Sequence, residues 1–528
     1  MNATKTVAVL AAGALTLGLA ACGSDSDGNG GAAGGSNYVT TRSSEPQNPL
    51  IPGNTNEIGG GNILDTIYAG LVYYDKDGET HNDLAESIDL EGDKTYRVKL
   101  REDAKWSDGS PVTSKDFVDA WNRVVEDSML GADFFESIKG FEEGKKLEGL
   151  TIEDDHTFTI ELDQPEADFP TRLGYAAFYP MHESAFDDLA AYGEDPLSNG
   201  PYKLAEWNHN QDAVVVPNEE YNGPRKAQND GIDFVFYAQT DAAYADLLAG
   251  NLDVTDAIPD SAFSTFNDEL GDRAVNQPAA IFQSFTIPEN EAHFSGEEGK
   301  LRRAAISRAI NREEITSTIF DSTRTPATDF TSPVIPGHSD SLKGEEVLEY
   351  NPEEAKRLWA EADKIAPWSG TFKISYNADG GHQAWVDAVA NSIKNTLGIE
   401  AEGNAYPDFK SLRDDVTNRR LEGAFRTGWQ ADYPSMGNFL SPLYSTNGGS
   451  NDGDYSNPEF DALLKQAANA GDVDQANAIY NQAQEILLQD LPAIPLWYAN
   501  VTGGYSENVD NVHFSWKSVP LFHEITKK

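Results

Sequence analysis

The chain has 528 residues, of which 39% are hydrophobic and 10% aromatic, enough for large cores and, on length alone, for roughly two to four domains. Its formal net charge of −48 at pH 7 argues against nucleic acid as a partner, because a phosphate backbone is repelled by such a surface. The sequence contains one cysteine, so no internal disulfide can form and stability must come from packing.

The first 21 residues have the pattern of a secretory signal. One cation, Lys5, precedes the apolar run of residues 7–19, which is too short to span a bilayer in a mature protein. The run ends in Leu19-Ala20-Ala21-Cys22, which resembles the bacterial lipobox, whose cysteine is lipidated before cleavage. We therefore predict a lipoprotein signal peptide at 1–21 and a lipid on Cys22 that holds the protein on the outer face of the cell membrane. The alternative is an ordinary secretory signal followed by a coincidental cysteine.

Residues 22–36 are rich in glycine and contain no large apolar side chain. They cannot bury enough surface to fold, so we predict a flexible tether. No later apolar stretch approaches a length of about 18 residues, so the sequence predicts no membrane span after the signal.

From residue 37 onwards, short alternating strands mix with helical segments, and no repeat of fixed period occurs. This mixture predicts an α/β or α+β protein. Asparagine before proline at Asn351-Pro352 and Asn457-Pro458 is typical of a helix start. The predicted strands are 94–100, 157–162 and 213–217, and the predicted helices are 114–125, 241–249, 299–310, 352–362, 383–397 and 473–488.

The segment 99–113, with the sequence KLREDAKWSDGSPVT, is the most specific of several motifs that follow one another from residue 68 onwards. The others, in order, are 68–71, 75–78, 84–86, 199–204, 248–254, 301–305, 309–312, 428–434 and 494–496. Together these motifs resemble those of the oligopeptide- and dipeptide-binding proteins of bacterial ABC importers, and the resemblance covers about residues 37–528.

The resemblance implies an α/β, two-lobed periplasmic-binding-protein-like fold with an additional inserted domain. Carried over to this chain, lobe I would consist of 37–70, 198–275 and 499–528. The inserted domain would be 71–197, and lobe II would be 276–498. Periodicity alone does not reveal these boundaries.

The resemblance also implies that Asp432, in the segment GWQADYP at 428–434, pairs with the α-ammonium group of a peptide ligand. A free peptide offers a charged amine near neutral pH, and a desolvated carboxylate makes a short charge-assisted hydrogen bond to it. A ligand without the amine would leave that carboxylate buried and unpaired. The alternative is that Asp432 only caps the turn before Tyr433-Pro434.

Three further side chains are candidates for ligand binding on the same resemblance. Trp429 would pack beside the first ligand residues as an aromatic surface, and Tyr433 would do the same. The alternative for Trp429 is ordinary packing in the hydrophobic core. Arg426 matches a position where oligopeptide binders place a cation for the ligand carboxylate, a task suited to the planar guanidinium, although a surface role is equally open. A second such arginine of the family would fall at Thr417, with Arg419 and Arg420 nearby, so the preferred peptide length is not predicted.

The motifs of common enzymes were sought and are not found in the sequence. It contains no nucleophile elbow, zinc-protease motif, phosphate-binding loop or dinucleotide fingerprint. The nine histidines have no ligand spacing, so we predict no metal, no cofactor and no enzyme activity. The motif Asp75-Lys76-Asp77-Gly78 lacks the later ligands of a calcium loop and predicts a hairpin turn.

The expected function is capture of extracytoplasmic peptides between two lobes and delivery to an ABC importer permease driven by ATPase subunits. Binding would shift the population towards a closed state, because a peptide that touches both lobes binds that state better. We expect a lipid-anchored monomer. The alternatives are the same fold with a metal chelate, an opine or a sugar as its ligand, or an exported hydrolase or adhesin.

Overall fold

The computed structural model describes residues 37–55, 57–378, 381–407 and 409–528. The predicted signal peptide, the tether and Cys22 lie outside the described residues. Within those ranges, no helix combines the length and the apolar character that a membrane crossing requires.

Among the described residues, the strands form one large mixed sheet and three smaller sheets. The large sheet has eleven strands in the order β15-β14-β16-β12-β17-β11-β1-β10-β9-β8, with β13 paired to β17 outside this path. The strands are β1 (Val39–Ser43), β2 (Val72–Tyr74), β3 (Thr80–Asn82), β4 (Ala85–Glu91), β5 (Thr95–Leu100), β6 (Leu150–Asp154), β7 (Thr157–Glu161), β8 (Tyr202–Asn208), β9 (Asp212–Pro217), β10 (Ile232–Phe236), β11 (Val254–Thr255), β12 (Ala274–Thr286), β13 (Arg324–Pro326), β14 (Thr371–Asn377), β15 (Glu400–Tyr406), β16 (Ala424–Gln430), β17 (Ala493–Tyr505), β18 (Val509–Asp510) and β19 (Thr526–Lys527).

Helices cover the sheets and connect their strands. The six helices and three strands predicted from the sequence are confirmed, with ends displaced by a few residues. The helices are α1 (Ile58–Ile67), α2 (Ser114–Glu126), α3 (Phe169–Arg172), α4 (Leu189–Glu194), α5 (Thr240–Ala249), α6 (Phe266–Leu270), α7 (Gly296–Arg308), α8 (Arg312–Ile319), α9 (Pro352–Ile365), α10 (Gln383–Leu397), α11 (Phe409–Thr417), α12 (Met436–Tyr444), α13 (Pro458–Ala468) and α14 (Val473–Asp490).

Local chemistry explains several of these ends. The side chain of Asn351 accepts a hydrogen bond of 3.1 Å from the backbone of Glu354, so the predicted cap of α9 is confirmed. The motif 75–78 forms the predicted hairpin turn between β2 and β3, where Gly78 has a φ of +83°. A Cβ on Gly78 would lie 3.2 Å from Cβ of Pro434, so this turn touches the segment that carries the candidate site.

The apolar side chains form two large cores. The first core draws on residues 39–254 and 501–525, and the second draws on residues 280–498 together with Trp516. The chain passes from the first core to the second along β12 and returns along β17. These two strands pair with each other in antiparallel fashion, and their register is interrupted between Pro278 and Phe282, at the passage between the cores.

A four-stranded antiparallel sheet, ordered β4-β5-β7-β6, lies in the segment 71–197. Helix α2 packs on it through Phe117 and Trp121, whose rings lie 5.9 and 5.8 Å from the ring of Phe158. The same segment also reaches the second core, because the backbone N–H of Ala167 donates to the carbonyl of Ala468 over 3.0 Å.

Candidate ligand-binding site

The candidate site lies where β16 ends and the chain turns into α12. Strand β16 pairs along its length with β12, from Phe425 opposite Thr286 to Gln430 opposite Ile281. A Cβ on Gly428 would lie 2.9 Å from the carbonyl oxygen of Phe282, so this close strand pair favours glycine. The turn ends at Ser435, whose side chain accepts a hydrogen bond of 3.0 Å from the backbone of Gly437 and thereby begins α12.

Asp432 is half-buried in this turn. Its Oδ2 accepts a hydrogen bond of 3.1 Å from the side chain of Asn438, and its backbone N–H donates to Oδ1 of Asn438 over 3.1 Å. Burial raises the pKa of the Asp432 carboxyl, whereas the Asn438 bond, Lys517 and Arg172 act to lower that pKa. The carboxylate therefore lies in a partly desolvated place where a cation would be stabilised.

Trp429 lies one strand position before Gln430 and is also half-buried. Its indole N–H donates to Oδ1 of Asn438 over 3.0 Å. Asn438 thus contacts both Trp429 and Asp432 and brings these two predicted residues together.

Arg426 is half-buried and lines a cavity of about 220 Å³, which Trp429 also lines. The guanidinium of Arg426 lies 5.7 Å from the centre of the Phe409 ring. Asp432 and Tyr433 are not among the described residues that line this cavity. Trp429 therefore lies between the two parts of the site, since it lines the cavity with Arg426 and shares Asn438 with Asp432.

Tyr433 is buried and faces the segment 71–197. Its hydroxyl accepts a hydrogen bond of 3.2 Å from Arg172, and the Arg172 guanidinium lies 5.2 Å from the centre of its ring. Burial raises the pKa of the Tyr433 hydroxyl. In this arrangement Tyr433 connects two parts of the fold, and its predicted contact with ligand stays a prediction.

The sequence left the second cation of the site undetermined, and the structure supplies a candidate that it missed. Arg413, in α11, lines the cavity together with Arg426 and pairs with Asp452 over 2.6 Å. Arg419 and Arg420, which are close to the family position in sequence, do not line the cavity. Arg419 pairs with Asp454 over 2.7 Å and, over 3.7 Å, with the lining residue Asp452, whereas Arg420 pairs with Asp415 over 2.8 Å. Arg413 and Arg426 are thirteen residues apart, and no sequence pattern indicates that two arginines at this spacing line the same cavity.

One edge of β16 lacks a strand partner next to the site. On the side away from β12, β14 pairs with β16 only at Ala424 and Phe425. Beyond Phe425, no strand within the described ranges pairs with that edge. The backbone from Gly428 to Gln430 could therefore accept an extended chain as an added strand.

A second cavity, of about 80 Å³, lies on the side of the first core. Lys517 lines it and pairs with Asp65 over 3.0 Å. No group of three or more potential metal-ligating side chains occurs among the residues with described positions.

Two curated relatives illustrate the similarity of the whole sequence. The chain is 26% identical over 535 residues to the oligopeptide-binding protein OppA of Bacillus subtilis, with 94% of each chain covered. It is 28% identical over 508 residues to the periplasmic oligopeptide-binding protein OppA of Salmonella typhimurium, with 90% of this chain and 91% of that protein covered.

The fold is also found among solved structures. The unliganded open form of the periplasmic murein tripeptide-binding protein MppA superposes with a TM-score of 0.82 at 24% identity, covering 94% of this chain and 98% of that one. The α/β, two-lobed periplasmic-binding-protein-like fold with an inserted domain is therefore confirmed, while the domain boundaries stay a prediction.

The family profile described as "Bacterial extracellular solute-binding proteins, family 5 Middle" matches residues 79–451. This match spans more than half of the chain and includes the four-stranded sheet, β12, β16 and the turn at Asp432. The chain belongs to the family 5 bacterial extracellular solute-binding proteins.

Proposed function

We propose that this protein captures extracytoplasmic peptides in a cleft between two lobes, with the Asp432 carboxylate bound to the α-ammonium group of the ligand. The observation that carries the proposal is the Asp432 carboxylate itself, half-buried and oriented by Asn438 at the end of β16. The curated relatives are named as oligopeptide-binding proteins, which supports the same ligand class. Binding without catalysis is part of the proposal.

The energetics follow from charge and burial. Moving either the carboxylate or the ammonium group out of water by itself is unfavourable. In a desolvated site the two groups are therefore stabilised only as a hydrogen-bonded pair. Among the described residues, no side chain donates a hydrogen bond to Oδ1 of Asp432, whereas Asn438 donates to Oδ2. Oδ1 is thus the oxygen that we assign to the ligand.

The ligand backbone would extend along the open edge of β16. Main-chain hydrogen bonds to such an edge give affinity that does not depend on the ligand sequence. The indole of Trp429 and the cavity lined by Arg426 lie beside this edge and would receive ligand side chains or the ligand carboxylate.

We propose closure of the two lobes as the step that buries the ligand. Lobe I would comprise 37–70, 198–275 and 499–528, the inserted domain 71–197, and lobe II 276–498. The two large cores and their connection through β12 and β17 support the separation of lobe II from the rest of the chain, whereas the proposed lobe I and inserted domain share the first core. A peptide that contacts both lobes would favour the closed state by its differential affinity.

Delivery to an ABC importer permease with ATPase subunits completes the proposed role. A lipid on Cys22 would hold the monomeric protein at the outer face of the cell membrane, with residues 22–36 as a tether. Two acyl chains are sufficient for firm anchoring, whereas one chain binds only marginally.

Isothermal titration calorimetry with free and N-acetylated forms of the same peptide mixture tests the proposal. We expect wild type to bind the free peptides at least about tenfold more tightly, and Asp432→Ala and Asp432→Asn to lose this preference. Asp474→Asn, which removes an exposed carboxylate in α14, is the matched control and should behave as wild type. Equal binding of free and acetylated peptides by wild type would overturn the proposal and favour a non-peptide solute such as a metal chelate, an opine or a sugar.

A further inference from the structure

Asn438 is the third residue of α12 and is 5% exposed. Its side-chain amide makes three hydrogen bonds within the candidate site. Oδ1 accepts from the Trp429 indole over 3.0 Å and from the Asp432 backbone over 3.1 Å, and Nδ2 donates to Asp432 Oδ2 over 3.1 Å.

The chemistry of the partners fixes the orientation of this amide. An indole N–H and a backbone N–H can only donate, so the atom that meets both must be the amide oxygen. The NH₂ group then points at Asp432, where it stabilises the ionised carboxylate. The reversed amide would place a donor against two donors and an oxygen against a carboxylate, so it is excluded.

We propose that Asn438 is the positioning residue of this site: it fixes the Asp432 carboxylate relative to the Trp429 indole, and the preference for a free ammonium group depends on it. The inference rests on the proposed function, because the preference is that of the Asp432 site. Asn438 itself would not contact the ligand. It acts by holding Oδ2, which leaves Oδ1 aimed at the ligand.

The shape of the site explains why positioning matters. A carboxylate distinguishes a free ammonium group from an acetylated amine only where its rotamer is held. A mobile side chain could turn away from an acetylated ligand and into water, so that the ligand would bind without leaving the carboxylate buried and unpaired. The Trp429 indole must be held in the same way, because an aromatic ring packs against a ligand in one defined geometry only when the plane of the ring is fixed. Asn438 meets both requirements with one buried amide.

The test measures two properties that a purely structural role would not change. The first is the ratio of affinities for free and N-acetylated peptides, measured by calorimetry in wild type, Asn438→Leu and Asn438→Ala. The second is the ¹H–¹⁵N signal of the Trp429 indole, assigned with Trp429→Phe, in wild type and Asp432→Asn. Leucine keeps the number and branching of the side-chain heavy atoms of asparagine and removes the three hydrogen bonds, and alanine provides a second variant if leucine does not fold.

We expect both Asn438 variants to reduce the affinity ratio by about tenfold or more, because an oriented charge-assisted hydrogen bond is lost. We expect Asp432→Asn alone to shift the Trp429 indole signal, because Asn438 connects the two side chains. In a protein that also carries Asn438→Leu, the same substitution should leave that signal unshifted. Asn477→Leu is the control for loss of a buried asparagine, since Asn477 is 7% exposed in α14, and it should keep the wild-type ratio.

The outcomes separate the two claims. If wild type prefers free peptides and the Asn438 variants keep that ratio, with affinity for both peptide forms reduced equally or not at all, Asn438 is structural only and the inference is overturned. If wild type shows no preference, the proposed function fails first. A reduced ratio in the Asn438 variants and an unchanged ratio in Asn477→Leu would support the inference.

Discussion

The guanidinium of Arg172 donates a hydrogen bond to the hydroxyl of Tyr433 and lies over the ring of the same side chain, although 261 positions separate the two residues. Arg172 also forms an ion pair with Glu166, which belongs to the same segment 71–197. This ion pair orients the Arg172 guanidinium towards Tyr433. The turn that carries Asp432 is therefore held from two directions, by α12 on one side and by the segment 71–197 on the other.

The open edge of β16 predicts a dependence on ligand amide groups. We expect that short alanine peptides N-methylated at one internal amide at a time will lose about threefold to tenfold in affinity at one position or more, because a backbone hydrogen bond is lost there. Competition calorimetry against the unmodified peptide measures this loss. Peptides that bind like the parent at every methylated position would contradict pairing along β16.

A buried carboxyl next to the same turn predicts a pH effect on stability. Asp168 is 5% exposed and accepts a hydrogen bond from Ser435, and burial raises the pKa of Asp168. A raised pKa means that the folded state holds the proton more tightly, so this contribution to stability is present below the ordinary pKa of 3.8 and is lost as pH rises through the raised pKa.

We therefore expect Asp168→Asn to be more stable than wild type at neutral pH, by about 1.4 kcal/mol for each unit of raised pKa, and to lose this advantage on acidification. Urea denaturation between about pH 4 and pH 7 measures the difference. An advantage that grows on acidification would contradict the assignment.

His523 predicts the opposite pH effect. Burial, with the nearby charge of Arg225 as the second cause, lowers the pKa of His523 from 6.5 to about 3. Its contribution to stability is therefore present above pH 6.5 and is lost as pH falls towards 3. Across that window the free energy of unfolding should fall by up to about 1.4 kcal/mol per pH unit on account of this residue.

The variant His523→Gln should show a shallower decline in stability over the same window. The measurement is the urea midpoint at a series of pH values, and His156→Gln, at a half-buried histidine, serves as the control. Parallel curves for His523→Gln and wild type would show that the imidazole does not remain neutral in the fold.

The ion pair of Arg225 with Asp83 predicts a large loss of stability. Nε of Arg225 lies 2.9 Å from Oδ2 of Asp83, and the other guanidinium nitrogens donate to the carbonyls of Asp65 and Tyr68. Asp83→Asn would leave a buried guanidinium without its counter-charge, so we expect a loss of about 3–5 kcal/mol in the free energy of unfolding. Urea denaturation measures it, with Glu353→Gln, from an exposed pair, as the control that should change little. A loss no larger than that of the control would refute the expectation.

The predicted lipid on Cys22 has a direct cellular test. Exported behind a signal peptide whose cleavage does not require lipidation, Cys22→Ala should be found in the soluble fraction, whereas wild type with its own first 21 residues stays in the membrane fraction, because the acyl chains provide the attachment. Washing wild-type membranes with concentrated salt should leave the protein bound, since salt screens charges and not acyl insertion. Retention of Cys22→Ala at the membrane would exclude a lipid anchor at this residue.

The elements of the fold were predictable where the signal is local. Helix α10 matches its predicted range at both ends, and Asn351 caps α9 as expected, because periodicity and capping involve residues a few positions apart. Helix α7 begins at Gly296 rather than 299, and Glu297 and Glu298 in its first turn favour this earlier start by their interaction with the helix dipole.

The candidate site was predictable only in part. The resemblance identified Asp432 and Trp429, but the role of Asn438 depends on a turn geometry that brings an amide six residues away back against the carboxylate. The contact between Arg172 and Tyr433 depends on packing between distant segments, which no local pattern encodes. For the same reason, the shared cavity of Arg413 and Arg426 was not predictable from local patterns.

Strands β12 and β17 pair with each other within the large sheet and carry the chain between the two cores. Paired strands bend more readily at a register irregularity, whereas sliding one strand along the other would break ladder hydrogen bonds. If the lobes close as proposed, the interruption between Pro278 and Phe282, which lies where the chain leaves one core for the other, is the place where these strands would bend with the least disturbance of either core.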